Sequence, residues 1–233
     1  MKRLSTLILI FVANFCFAQY EPKVAGEFVQ HTYYCLDYNE QHEQANWVYY
    51  SLKPENITGE AERSNTFRID PKVSTKSAST SDYTKSGYDR GHLCPAADMS
   101  HNEEAMRESF YMSNMSPQAP SLNRGRWKNL EELVRVWCKD NGELHITVGA
   151  ILKDGLPQIG ANGVSVPESY YKVIYSVSDG EMIGFIMPNQ KLDGEVASYA
   201  TTIDEVESLI GIDLFPQLDQ TKEATINLSK WKF

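Results

Sequence analysis

The period of the apolar residues changes twice along this chain, and no other feature limits its fold more. Residues 28–38 and 46–52 are rich in Val, Tyr, Trp and Phe and flank the polar run 39–44, which reads as two strands joined by a surface turn. In the middle of the chain Trp127, Leu130, Val134 and Trp137 fall three or four apart, so a helix over residues 125–139 has one apolar face. Two capping boxes mark further helix starts. Ser100-His101-Asn102-Glu103 opens one that runs to about Met112, and Thr202-Ile203-Asp204-Glu205 opens another with Gly211 as its stop. Alternation returns at Leu144, Ile146 and Val148, separated by His145 and Thr147 as in a half-buried strand, and residues 170–177 and 182–187 form two strands around Ser178-Asp179-Gly180. Strands, then helices, then strands without a repeat predict one α+β domain over residues 19–233, a largely antiparallel sheet flanked by helices.

Residues 1–18 carry Lys2-Arg3, an apolar stretch ending at Phe17, and Ala18 before Gln19. That is the pattern of a secretory signal peptide cleaved near Ala18, and it predicts a secreted or periplasmic bacterial protein. The stretch is shorter than the roughly 20 residues a transmembrane span needs. Cleavage removes two cations and no acids, so a formal charge of −9 becomes −11. Such a balance argues against a protein that grips nucleic acid through a broadly basic surface, because sequence-independent affinity comes from Lys and Arg on phosphates. Three of the four cysteines remain, Cys35, Cys94 and Cys138. An odd number allows at most one bridge, no spacing forms a metal pair, and buried free thiols are expected for most of the three.

Chemistry concentrates in two stretches. In Asp89-Arg90-Gly91-His92 an acid, a fixed cation, a glycine and an imidazole are consecutive. His92 can take a proton near neutral pH and Arg90 can bind a phosphate oxygen, although four such residues also suit a salt-bridged turn. The second stretch runs from Ser113-Asn114-Met115-Ser116-Pro117-Gln118 to Leu122-Asn123-Arg124-Gly125-Arg126-Trp127-Lys128-Asn129-Leu130-Glu131. Asn123 at the mouth of a helix is either a cap or an amide-oxygen ligand for a hard cation such as Mg²⁺. Glu131, two turns on, could hold one of that cation's waters.

These three ordered segments resemble the signature of the DNA/RNA non-specific endonucleases, the ββα-metal or His-Me finger nucleases that include endonuclease G. Weaker similarity extends from about Tyr33 through Asp204-Glu205-Val206-Glu207 and Phe215-Pro216. The resemblance implies a Mg²⁺-dependent hydrolase, with Mn²⁺ as the alternative ion, that cuts DNA and RNA to leave 5′ phosphates. It implies His92 as general base, Asn123 as the direct metal ligand, and Glu131 as a metal partner through water. Arg90 would hold the scissile phosphate and Asn114 would support the site. A further family arginine falls in Arg63-Ser64-Asn65-Thr66-Phe67-Arg68, with Arg63 preferred and Arg68 its rival.

Arg124, Arg126 and Lys128 either flank the nucleic-acid path or form a solvated helix end. Residues 74–86, with eight Ser or Thr in thirteen positions, either line the groove or form a mobile connection. His31, His42, His101 and His145 show no partner pattern and read as surface or strand residues. Cys94 reads as a small side chain packed beneath the metal loop. Two other functions fit less of this pattern: a catalytically silent relative that binds nucleic acid or a partner, and a phosphodiesterase for a smaller substrate.

Overall fold

In chain order the strands are β1 (Glu27–Gln30), β2 (Cys35–Asn39), β3 (Gln44–Leu52), β4 (Asp89–His92), β5 (Met115–Gln118), β6 (Leu144–Ala150), β7 (Gln158–Ile159), β8 (Val164–Ser165), β9 (Ser169–Ser176), β10 (Met182–Pro188) and β11 (Ala200–Thr201). The α-helices are α1 (Glu103–Ser109), α2 (Pro120–Asn123), α3 (Arg126–Asn141) and α4 (Ile203–Ile210). This computed structural model describes residues 20–59 and 61–233, so the proposed signal peptide lies outside the described residues.

Seven strands form one sheet in the order β1-β2-β3-β6-β9-β10-β11, and each neighbouring pair is antiparallel. Strand side chains alternate between the two faces. Tyr50, Leu52, Ile146, Val148, Ile174 and Phe185 share one face, and Trp127, Leu130, Val134 and Trp137 of α3 pack on it. Trp47, Tyr49, Tyr171 and Val173 lie on the other, covered by Ile203 and Val206 of α4 with Leu214 and Phe215. Truncating a buried tryptophan such as Trp137 to alanine would therefore cost about 3–5 kcal/mol.

This second layer corrects the expectation of a half-buried β6. Every residue of β6 is buried, and His145 Nδ1 lies 2.6 Å from the Tyr49 hydroxyl. Residues 28–38 are two strands rather than one, because the His31 N–H donates to the Tyr34 carbonyl at 2.9 Å and the chain reverses there. Neither His31 nor His42 is a surface residue. His31 Nε2 sits 2.8 Å from Asp70, and His42 Nδ1 sits 2.9 Å from Ser165 Oγ. Helix α1 starts later than the Ser100 box predicts: the Asn102 carboxamide oxygen accepts from the N–H groups of Glu104 and Ala105 and caps it. Around α4 the sequence signals hold, with Thr202 Oγ accepting from the Glu205 N–H and Gly211 ending the helix at φ 69°.

Beside the large sheet, β4 and β5 pair antiparallel from Asp89↔Gln118 to His92↔Met115, and α2 and α3 follow directly. A Cβ at Gly91 would sit 2.2 Å from the Gln118 side-chain oxygen, so glycine lets the two strands close. This ββα unit gathers all three sequence motifs. It rests on the α3 side of the sheet, where Leu93 and Cys94 join the main core.

Candidate active site

His92 stands at the end of β4 against an aromatic platform. Its ring meets Phe110 edge-on at 4.8 Å and Phe67 at 5.7 Å. The same two rings carry the guanidiniums of Arg90, 4.1 Å over Phe67, and of Arg63, 5.2 Å over Phe110. Phe67 and Phe110 were not foreseen from the sequence as site residues. Arg68 instead lies over Tyr111 and bridges to it through the backbone. Of the two rivals Arg63 and Arg68, it is therefore Arg63 that joins Arg90 on the platform of His92.

His92 is 8% exposed, and its Nε2 is buried without a hydrogen-bond partner. Burial, then the charges of Arg63 and Arg90, lower its pKa to about 3. The imidazole is thus neutral across the physiological range and free to accept a proton. An anionic group between the two arginines would offset their charge and raise the basicity of the ring.

Asn114 makes its side-chain hydrogen bonds to backbone and not to the imidazole. Its Oδ1 accepts from the Cys94 N–H at 2.8 Å, and its Nδ2 donates to the carbonyls of Cys94 at 2.9 Å and Ser109 at 2.8 Å. The Leu93 N–H also donates to the Asn114 carbonyl. The chain leaving His92 is thereby clamped on both sides. Asn114 is fully buried. Cys94 is buried too, and burial pushes its thiol well above the ordinary range. All three described cysteines are free and buried, as expected.

Asn123 ends α2, and Gly125 occupies the cap position of α3, so the capping role does not apply. The Asn123 Nδ2 donates to Asp89 at 2.9 Å, which leaves Oδ1 as the open end of the amide. Asp89 also receives Arg124 through Nε at 2.8 Å and Nη2 at 2.6 Å. Burial works to raise the Asp89 pKa, but the hydrogen bonds from Arg124 and Asn123 and the Arg124 and Arg90 charges hold it below the usual carboxylate range.

Glu131 projects from α3 into a mixed charge network. Burial raises its pKa to about 7, and Asp98 adds to this, whereas Lys172, Arg135 and Arg63 oppose it. Asp98 accepts from the Tyr50 hydroxyl and from Arg135, each at 2.9 Å. Lys172 on β9 is fully buried, 5.3 Å from the Trp127 ring, and its Nζ has no hydrogen-bond partner. Sequence reasoning missed Lys172, Asp98 and Arg135. The signal for Lys172 was a lone cation inside the apolar run Tyr170-Tyr171-Lys172-Val173-Ile174.

The open donors, the Asn123 amide oxygen and the Glu131 carboxylate, are hard oxygens, and the nearby thiol is protonated. This set fits a divalent cation of the Mg²⁺ type and not a thiophilic metal. Of the other predicted substrate contacts, Arg124 is tied to Asp89, Arg126 lies 3.7 Å from Glu195, and Lys128 lies 3.6 Å from Glu132. The Ser/Thr-rich loop contributes Thr80, Tyr83 and Thr84 to a cleft of about 140 Å³ that Tyr88, Asp89 and Arg90 complete. The same segment is anchored, since Asp82 accepts from the Ser79 N–H and from Asn162 Nδ2.

Two paired strands and a helix presenting His92 and Asn123 define a ββα-metal nuclease. A family model for DNA/RNA non-specific endonuclease matches residues 13–221, and the chain belongs to that family of hydrolytic enzymes. A nuclease of Nostoc sp. is 33% identical over 83% of this chain and 74% of its own length. Human mitochondrial endonuclease G is 32% identical over 79% of this chain and 68% of its own. The crystal structure of the EndoG/EndoGI complex contains a chain that superposes with a TM-score of 0.80 at 29% identity, covering 87% of this chain and 91% of that one.

Proposed function

We propose that this chain is an exported endonuclease that hydrolyses phosphodiester bonds of both DNA and RNA with Mg²⁺ or Mn²⁺, leaving 5′ phosphate and 3′ hydroxyl ends. Export rests on the pattern of residues 1–18, and the fold is read as one catalytic domain over 19–233. The observation that carries the reading is a neutral imidazole set between two guanidiniums stacked on aromatic rings. That arrangement offers a proton acceptor beside a receptor for one phosphate.

Arg90 and Arg63 hold the scissile phosphate and neutralise charge that grows on its oxygens as water attacks phosphorus. His92 accepts the proton of that water while the bond from phosphorus to the 3′ oxygen breaks. Asn114 fixes the backbone next to His92, so the ring keeps its line to the phosphate. Asp89 orients the Asn123 amide so that its oxygen is presented as a ligand. A divalent cation held by Asn123, with a water positioned by Glu131, would supply further charge neutralisation and an acidic water for the departing oxygen. Contacts limited to phosphate and sugar carry no base information, in keeping with activity on either polymer.

Supercoiled plasmid and single-stranded RNA, each incubated with MgCl₂, MnCl₂ or EDTA, test the proposal. Both polymers should be cut with either metal and neither in EDTA. Intact polymers in every condition would favour a silent binding relative, and turnover of a small diester alone would favour the small-substrate reading.

A further inference from the structure

On the α4 face of the sheet, far from the platform in the fold, lies a second concentration of charge. Asp204, Glu207 and Glu223 bring one carboxylate oxygen each within 4.8 Å of one another. Glu223, whose carboxylate is one member of this group, is fully buried, and its Oε2 is buried without a hydrogen-bond partner. Its Oε1 takes one long bond, 3.3 Å, from the Gln220 amide. The segment is held in register, because the Ile203 and Asp204 N–H groups both donate to the Glu223 carbonyl. Asp213 adjoins the cluster with another buried unpartnered oxygen, Oδ1, while its Oδ2 pairs with Lys23 at 3.0 Å. A buried carboxylate oxygen without a partner costs free energy unless a proton or a cation satisfies it.

We propose that Asp204, Glu207 and Glu223 form a binding site for Ca²⁺, separate from the catalytic cation at Asn123. All donors are carboxylate oxygens, the ligand class of a hard cation, and Ca²⁺ takes such oxygens at about 2.3–2.6 Å. Two ligands at that distance across an ion stand roughly 5 Å apart, which is the spacing found here. Mutual repulsion among Glu223, Glu207, Asp213, Asp204 and Asp219 favours a cation at the centre. The cation would tie the start of α4 to the C-terminal segment through Glu223, and so stabilise the layer that covers this face. Ligands on an exposed rim, such as Asp204, suit an affinity in the range of about 10⁻⁴–10⁻³ M typical of extracellular calcium modules.

The test is a thermal melt and calorimetric titration of the whole protein with CaCl₂ or MgCl₂ alone, repeated for Glu207→Gln, Glu223→Gln and Asn123→Ala. Wild type should melt about 3–5 °C higher in 10 mM CaCl₂. That rise should shrink at least tenfold in apparent affinity in both Gln variants and persist in Asn123→Ala. No calcium response in wild type, an unchanged response in both Gln variants, or a response lost only in Asn123→Ala would overturn the site. A wild type indifferent to calcium with a more stable Glu223→Gln would show instead that Glu223 carries a proton.

Discussion

The two faces of the central sheet bury ionisable groups in opposite company. On the α3 side, His92 and Glu131 lie among Arg63, Arg90, Arg135 and Lys172, with Asp98 as the acid that adds to the rise of Glu131. On the α4 side, Glu223 lies among four other acids, and burial together with their charge raises it to about 8. Burial and the surrounding charges thus drive an imidazole down to about 3 on one face and a carboxyl up to about 8 on the other. A total of −9 hides this division. The acidic chain still offers a local cationic receptor, and a catalyst that must release its product needs no broadly basic surface.

The comparison breaks first at the arginines. Arg63→Ala should lower kcat/KM on plasmid by roughly 10²-fold, in the range for losing one donor to a developing oxyanion, whereas Arg68→Ala should stay within about threefold. A larger loss from Arg68→Ala would move the phosphate receptor away from the Phe67–Phe110 platform. Next is Lys172→Met, which removes a buried, unpartnered ammonium from beneath Glu131. The Glu131 carboxyl should then titrate further above 7 and weaken Mg²⁺ affinity about tenfold. Urea unfolding should show equal or greater stability, because a buried charge is replaced by an apolar chain of similar size. An unchanged Mg²⁺ titration would show that Lys172 does not act on the site.

How much of this was legible in the sequence follows from where the determinants lie. Helix α3 was readable because Trp127, Leu130, Val134 and Trp137 encode one face within a single segment. Helix α4 was readable because Thr202 is a local start signal and Gly211 a local stop signal. The break between β1 and β2 was not, since His31 belongs there only through Asp70, thirty-nine positions away. Full burial of β6 depends on a layer supplied by residues after 200, which no window around Leu144 contains. Within the site, the order of Asp89, His92, Asn114, Asn123 and Glu131 was visible. The Asp89–Asn123 bond and the Glu131–Asp98–Arg135–Lys172 network were not, because their members come from separate elements.

The smallest expected effect separates burial from catalysis. His145 sits between Tyr49 and Tyr20, and burial with the Lys53 charge lowers it to about 4. A histidine depressed in the folded state binds its proton more readily when unfolded, so it subtracts stability as pH falls from about 6.5 toward 4 and nothing above that window. His145→Gln should flatten that part of the wild-type stability curve by about 2 kcal/mol between pH 6.5 and 4.5 and leave kcat unchanged at pH 8. A parallel curve would show that His145 takes up its proton without cost in the folded chain.

The central claim is that His92 is the proton acceptor in a site built on the ββα unit. The most direct measurement is plasmid cleavage in MgCl₂ by His92→Ala, alongside its melting temperature. The account predicts a loss of about 10²–10⁴-fold in rate in a protein that still melts cooperatively, since the ring makes no hydrogen bond through Nε2 and its removal costs only packing on Phe67 and Phe110. Cleavage within about threefold of wild type by a folded His92→Ala protein would contradict it.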